Sequence, residues 1–431
     1  MNRPTTQRPH QIDLLIDLYQ HMLAAADPME VLPPHLPPPP RGRTVVVGMG
    51  KAAAAMARAV EAHWEGPIEG VVVVPDGATL ATAHIRVHEA SHPVPDERSV
   101  AGAQLLMDAV SGLSADDLVI ALISGGGSAL CALPAPGMTL ADKQSVTRQL
   151  LRGGATIAEI NIVRRHLSSI KGGRLAAHAY PAKVVTLLIS DIPGDDPALV
   201  ASGPTLADGS SCADALAVLD RYNMNDLPAV REALASGVWE SVKPGDSRLF
   251  GHQVKMIACA WDGLAAAARR AQDLGLTCHV LSDAMEGESR ELAKAHAAIA
   301  LSVAHRSAPF KAPCVILSGG EATVTVKGTG RGGRNTEFAL AMALALEGRS
   351  GSSTVHGLSV GTDGMDASAG AAGAWVGPGT LAHARRLGLD ANACLEANDS
   401  ASLLGSLDAL IHTGPTFTNI NDFRALLIEA P

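Results

Sequence analysis

The stretch Ala121–Ala132, ALISGGGSALCA, decides how the rest of the chain is read. An apolar run, Leu118 to Ile123, has the length and composition of a buried strand. It stops at Ser124-Gly125-Gly126-Gly127-Ser128. Three successive glycines let the backbone approach a ligand with no Cβ in the way. Successive amides in such a turn converge into an anion-binding nest, and the free amides of a following helix add to the same pole. The plainer alternative is a tight strand-to-helix turn that needs positive φ. The first reading predicts an α/β fold whose central loop holds phosphate.

Upstream, Thr44-Val45-Val46-Val47 reads as the first strand. It runs into Gly48-Met49-Gly50-Lys51-Ala52-Ala53 and an alanine-rich helix to about Trp64. A second strand, Gly70 to Val74, ends at Pro75-Asp76. The pattern G-x-G-x-x-A between strand and helix, with an acid after the next strand, matches a dinucleotide-binding fingerprint. Lys51, beside the loop, is a cation aimed at whatever the loop holds, a transferring phosphoryl group or a carboxylate as well as a pyrophosphate. Ahead of these lie a helical pattern over 9–26 and a proline tract, Val31 to Pro40, read as a stiff connector. Ser91–Asp96, SHPVPD, is a rigid turn, and a helix from about Asp96 to Leu113 leads to the central strand.

Downstream, helical patterns at 139–152 and 156–179 carry basic groups, with Lys171 and Arg174 as candidates for a cleft. Lys183 to Ile189 is a strand ending in Ser190-Asp191-Ile192-Pro193-Gly194-Asp195-Asp196. Ligands of open α/β sheets bind beyond such strand ends, and magnesium takes one or two carboxylates plus phosphate oxygens and water. Asp191 is therefore a candidate metal ligand or general base, with Asp195 beside it. A second β/α series begins near Val254, so the domain change falls near 245–255. Ser318-Gly319-Gly320-Glu321 follows a strand, Cys314 to Leu317, and Ala322 to Val326 alternates like an edge strand. The glycine-rich loop Lys327–Gly333 then opens a helix at Arg334, a second anion pole with an arginine suited to bidentate contact. Thr362-Asp363-Gly364-Met365-Asp366 again places acids just past a strand.

Composition narrows the function classes. The 431 residues suggest two or three domains. A net charge of −9 argues against a nucleic-acid backbone as partner, and 3% aromatics against base stacking. The six cysteines form no CxxC pair and no zinc-spaced cluster, as in a reducing compartment. There is no signal pattern and no run of 18 apolar residues. The expectation is a soluble cytoplasmic protein acting on a small molecule, without a membrane partner; a homo-oligomer is compatible with it.

In order along the chain, GMGKAA, SHPVPD, SGGGSAL, INIVRRHLSSIKGGRLA, LLISDIPGDDP, ASGPT, ILSGGEATV, GGRNTE, GTDGMD and GPTFTNINDF resemble the class II glycerate 2-kinases with a C-terminal MOFRL domain. The resemblance runs from about residue 10 to 431, and some relatives carry the label hydroxypyruvate reductase. It implies an N-terminal Rossmann-like α/β/α sandwich (1–250) and a C-terminal α/β domain (251–431, MOFRL region about 312–431), with the active site in the interdomain cleft. It also implies transfer of the ATP γ-phosphoryl group to the 2-hydroxyl of D-glycerate, with Mg²⁺ as the metal. The catalytic set it implies is Lys51, Asp191 and Arg334. Candidate nucleotide contacts are Gly48, Gly50, Ser124, Gly125, Gly126, Gly127, Ser128, Lys171, Gly319, Gly320 and Glu321; candidate metal ligands are Asp191, Asp195 and Asp363. Relatives usually carry glycine where this chain has Phe417, so substrate preference is open to change there. The alternative activity is an NAD(P)H-dependent hydroxypyruvate reductase, which would use Gly48–Ala53 for pyrophosphate and Asp76 for ribose.

Overall fold

The computed structural model describes residues 8–430. It contains two compact units: one comprises Pro28–Asp191 and Asp195–Ile257, the other residues 8–27, Ile192–Gly194 and 258–430.

In the first unit, six strands form one sheet. They are β1 (Thr44–Met49), β2 (Glu69–Pro75), β3 (Ile85–Ala90), β4 (Leu118–Ile123), β5 (Lys183–Ile189) and β6 (Gln253–Ala258), in the order β3-β2-β1-β4-β5-β6. The pairings from β3 through β5 are all parallel. A parallel sheet is covered on both faces, so its central strands read as unbroken apolar runs; β1 and β4 are buried along their whole length. The order reverses between β1 and β4, and the loops leaving those two strands meet at this switch point, where doubly wound sheets bind ligands. The sequence reading missed β3. IRVHEA buries only Ile85 and Ala90, so it shows neither an apolar run nor clean alternation.

The expected helix 156–179 is two helices, Ile157–His166 and Arg174–His178. Between them Gly172 and Gly173 take φ of 59° and 80°, which ends helical propagation. The proline tract is not extended throughout: Pro28–Val31 and Pro33–His35 form short helical turns before it straightens.

The second unit holds β7 (Thr277–Val280), β8 (Gly287–Glu288), β9 (Cys314–Ser318), β10 (Ala322–Thr323), β11 (Val355–Gly361), β12 (Gly373–Val376), β13 (Leu410–Ile411) and β14 (Asp422–Ile428). Six of them form a mixed sheet in the order β13-β12-β11-β14-β9-β7, and β8 pairs with β10. The edge strand expected at Ala322–Val326 shortens to two residues, because the backbone of Thr325, Lys327 and Gly328 turns away to bond Glu288 and Asn398. The core of this unit joins the helices Ser289–Arg306 and Arg334–Leu346 to the sheet through Phe338, Leu340, Met342, Ile316 and Leu426. The N-terminal helix His10–Ala24, assigned above to the first domain, belongs to this second unit. Its buried stripe Ile12, Leu15, Leu18, Tyr19 and Met22 follows helical spacing, and it packs on the helix Ala260–Asp273 and on β11 and β14. No described helix is long and apolar enough to cross a membrane.

Candidate active site

The loops after β1 and β4 hold each other. Ala52 N donates to Ser124 Oγ at 3.0 Å, and Lys51 N donates to the Gly125 carbonyl at 2.9 Å. The start of the helix Ala53–His63 therefore spends amides on the neighbouring loop. Gly50 takes φ 128°, and a Cβ there would stand 2.2 Å from Ser124 Oγ; Gly48 lies within β1, where a Cβ would come within 2.8 Å of the Leu122 carbonyl. The fingerprint glycines thus serve the packing of β1 against β4. Asp76, the acid of that fingerprint, is gripped by Arg98 Nη1 at 2.5 Å and Nη2 at 3.0 Å.

The three glycines of the central loop have different neighbours. A Cβ on Gly127 would meet Ala201 and Met49, each at 2.8 Å, and one on Gly125 would meet the carboxylate of Asp191 at 1.5 Å. Gly126, with φ 83°, faces the His92 ring and the Lys51 side chain at 3.2 and 3.5 Å from its Cβ position. The loop's missing side chains are thus filled by protein groups, and those groups include Lys51 and Asp191. Ser128 Oγ bonds Ser202 Oγ at 2.8 Å, and Ser202 Oγ reaches Asn161 Oδ1 at 3.3 Å. Ala201, Ser202 and Gly203 stand successively at φ 52°, 63° and 59°. Left-handed backbone at non-glycine residues costs roughly 1–2 kcal/mol each and is a feature of strained functional segments.

Beside this loop lies a cavity of about 360 Å³. Gly126, Ser128, His92, Lys143, Arg164 and Lys171 are among its lining residues. Lys171 is 1% exposed; its Nζ donates to the carbonyls of Ser128 at 2.8 Å and Cys131 at 2.9 Å. Burial lowers its pKa to about 7, Arg164 adding to the effect while Cys131 opposes it. Lys143 was missed in the sequence, where it reads as an ordinary helix charge. Its Nζ donates to the Leu167 carbonyl at 2.5 Å, and burial, with Lys171, Arg164 and Arg174 nearby, brings its pKa well below the ordinary lysine value.

Asp191 and Asp195 lie on the loop after β5, and Asp195 adopts φ 50°. Three potential metal-ligating side chains meet elsewhere in this unit: His166, Cys212 and Glu240, with ligand atoms all within 4.8 Å. Their separation in sequence hid them from a spacing argument. Lys243 Nζ, 2.5 Å from Glu240 Oε1, supplies a positive charge there already.

In the second unit Arg334 anchors a carboxylate network. Its Nε is 2.8 Å from Asp422 Oδ1 and its Nη1 2.9 Å from Glu321 Oε1. Burial disfavours the charged guanidinium, but Asp422, Glu321 and Asp363 outweigh it and raise the pKa. Asp422 was missed in the sequence; it is fully buried and also holds Arg424 Nη2 at 2.7 Å and Asn335 Nδ2 at 3.0 Å. Gly319 accepts from Arg424 through its carbonyl, and the Gly320 carbonyl accepts from Asp422 N. Gly319, Gly320 and Glu321 are therefore built into this network. Asp363 is buried, and its Oδ1 accepts from Met365 N at 3.0 Å. In the loop expected to be a second anion pole, Cβ atoms on Gly328, Gly330, Gly332 and Gly333 would run into Ala397, Asp399, Ser400 and Asp366 at 2.2–2.5 Å.

Comparison with known proteins agrees with this architecture. A family described as a domain of unknown function (DUF4147) matches residues 14–235, and the MOFRL family matches residues 314–422. A protein of Agrobacterium vitis named "putative hydroxypyruvate reductase" is 49% identical, covering 95% of this chain and 93% of its own length. The D-glycerate 2-kinase of Thermotoga maritima is 37% identical, covering 96% of this chain and 98% of its own. The solved structure of glycerate kinase from Thermotoga maritima matches with a TM-score of 0.86, covering 97% of this chain and all of that one. With its DUF4147 and MOFRL regions, the chain belongs to the glycerate kinase family, some of whose members bear the hydroxypyruvate reductase name.

Proposed function

We propose that this kinase transfers the γ-phosphoryl group of ATP to the 2-hydroxyl of D-glycerate, forming 2-phospho-D-glycerate. The observation that carries the reading is the meeting of Lys51 and Asp191 at the Gly125–Gly126 turn, on the switch point of the parallel sheet. Phosphoryl transfer asks for positioning and charge stabilisation more than covalent chemistry. Lys51 offsets the charge on the transferring group, and Asp191 orients the attacking hydroxyl and accepts its proton. The reading keeps Arg334 as a cation of the C-terminal unit whose neutralisation lowers turnover, and Lys171 with the Ser124–Ser128 loop as anion contacts.

The donor chemistry fits magnesium. Among the described residues no three carboxylates gather, and magnesium needs only one or two, with phosphate oxygens and water completing its shell. Asp195 would hold it, with Asp191 a ligand only where it does not serve as the base; Asp363 is the candidate of the second unit, taken by itself. A bound magnesium supplies charge neutralisation on the phosphates.

The reductase alternative receives less support. Its glycines pack against β4 and Ser124, and its ribose acid is occupied by Arg98. Two assays on the purified protein decide between them. D-Glycerate-dependent ADP release with ATP and magnesium, without NADH or NADPH oxidation by hydroxypyruvate, is the expected result, with NMR fixing the phosphorylated carbon. Nicotinamide oxidation alone would overturn the kinase assignment.

A further inference from the structure

The cavity beside the Ser124–Ser128 loop gathers basic side chains with no carboxylate among its lining residues to pair with them. Buried Lys143 and Lys171, half-buried Arg164 and exposed Arg148 line it, and no aspartate or glutamate does. Neither Lys143 nor Lys171 makes an ion pair with a carboxylate among the described residues. Their ammonium groups rest on main-chain carbonyls: Lys143 on Leu167 and Arg164, at the C-terminal end of the helix Ile157–His166, and Lys171 on Ser128 and Cys131. Carbonyl dipoles at a helix end stabilise a cation in part, but a buried charge ordinarily demands a full counter-charge. A fold that gathers such charges on an open cavity leaves the counter-ion to a ligand.

We infer that this cavity binds an oxyanion of two or more charges, the phosphate of a nucleotide or of a phosphorylated hydroxy acid, held by Lys143, Arg164 and Lys171. The inference rests on the kinase reading only for naming those two sources. It adds Lys143 and Arg164 to the binding residues and gives binding a proton balance. The groups facing the two lysines are Arg148, Arg164, Arg174, His92 and the Cys131 thiol, besides each other. Without an anion, burial favours neutral lysines. An arriving dianion reverses that preference, so lysine Nζ takes up a proton from solvent as the ligand binds. At pH 8, above its pKa of about 7, Lys171 contributes to this uptake, and the phosphates are already largely ionised there, so little ligand proton is released to cancel it.

The test is calorimetry on the full chain with inorganic phosphate, 2-phospho-D-glycerate and a non-hydrolysable ATP analogue. Each is titrated at pH 8 in two buffers of different ionisation enthalpy. The expected result is binding of at least one anion with buffer-dependent heat at pH 8, corresponding to net uptake of about half a proton or more. Lys171→Met and Arg164→Met are expected to weaken that binding by about tenfold or more, and Lys171→Met to reduce the proton uptake. Competition of phosphate with the ATP analogue assigns the nucleotide as the source; competition with 2-phospho-D-glycerate assigns the hydroxy acid. Heats identical in the two buffers at pH 8, or no binding of any of the three at millimolar concentration, overturn the inference. If a variant fails to fold, the wild-type proton count decides alone. Phosphate binding with proton uptake in a protein that releases no ADP with D-glycerate would remove the kinase reading and leave the anion site standing.

Discussion

The carboxylate of Asp191 occupies the space that Gly125 leaves by lacking a side chain: a Cβ there would lie 1.5 Å from Oδ2 and 2.0 Å from Cγ. Gly125→Ala must therefore move Asp191 without removing it. If Asp191 is the base proposed above, its displacement loses the alignment with the attacking hydroxyl, and misplacement by about 1 Å costs about 10²-fold in rate. We expect kcat for D-glycerate phosphorylation to fall by about that factor, with the far-ultraviolet circular dichroism unchanged. A Gly125→Ala protein with kcat within a few-fold of wild type would separate Asp191 from the reaction.

Arg334 and Arg424 take opposite oxygens of one fully buried carboxylate, Asp422. Burial pushes the pKa of Asp422 up, but the two guanidinium groups outweigh it and hold it below the usual carboxylate range. Its stabilising contribution is present above the unfolded pKa and is lost as pH falls through the lower folded value. Asp422→Asn keeps the shape and strands Arg424, whose side chain is 1% exposed. Denaturant melts should show a loss of about 3–5 kcal/mol, constant between pH 6 and 8 and shrinking only in acid below the ordinary aspartate range. A loss under about 1 kcal/mol would mean the network is relaxed without its charge.

How far the sequence carries can be judged on particular residues. The strands ending at Met49, Ile123 and Ile189 were legible, because a parallel sheet buried on both faces writes itself as apolar runs punctuated by glycine, serine or aspartate. The meaning of the glycines was not. A sequence shows where a side chain is missing, but not that Asp191 fills the gap at Gly125 or Asp366 the gap at Gly333. Lys143 was hidden because its burial depends on carbonyls at the end of a different helix. Asp422 was hidden because its two arginine partners come from different elements of the sheet and helix layers. The N-terminal helix was legible as a helix, but its apolar stripe alone could not say which unit it covers.

Asp76 offers a separate check on the activity. Arg98 holds it in a surface pair with side chains 47% and 57% exposed, the kind of contact that contributes little to stability. If the protein is a kinase, Asp76→Ala should leave D-glycerate-dependent ADP formation within about twofold of wild type, and neither protein should oxidise NADH. A reductase that reads the ribose of its cofactor through Asp76 would instead lose nicotinamide affinity in this variant.

Phe417 stands at φ 59°, left-handed backbone that a bulky side chain adopts at a cost of roughly 1–2 kcal/mol. Glycine, which the family resemblance places at this position, adopts it freely. The preceding residue ties the turn to the acidic loop: Thr416 N donates to the Asp363 carbonyl at 3.3 Å, and its Oγ1 bonds the Thr362 carbonyl at 2.5 Å. Phe417→Gly trades lost ring contacts and a freer unfolded chain against relief of strain. We expect its stability to stay within about 1 kcal/mol of wild type, in contrast to the roughly 3–5 kcal/mol of an ordinary buried phenylalanine truncated to alanine. Because the turn borders Asp363, the same variant should shift KM for the hydroxy acid while leaving KM for ATP within about twofold. A stability loss above about 3 kcal/mol would show that the ring is a core anchor whose packing overrides its backbone. Equal changes in both KM values would detach Phe417 from acid selection.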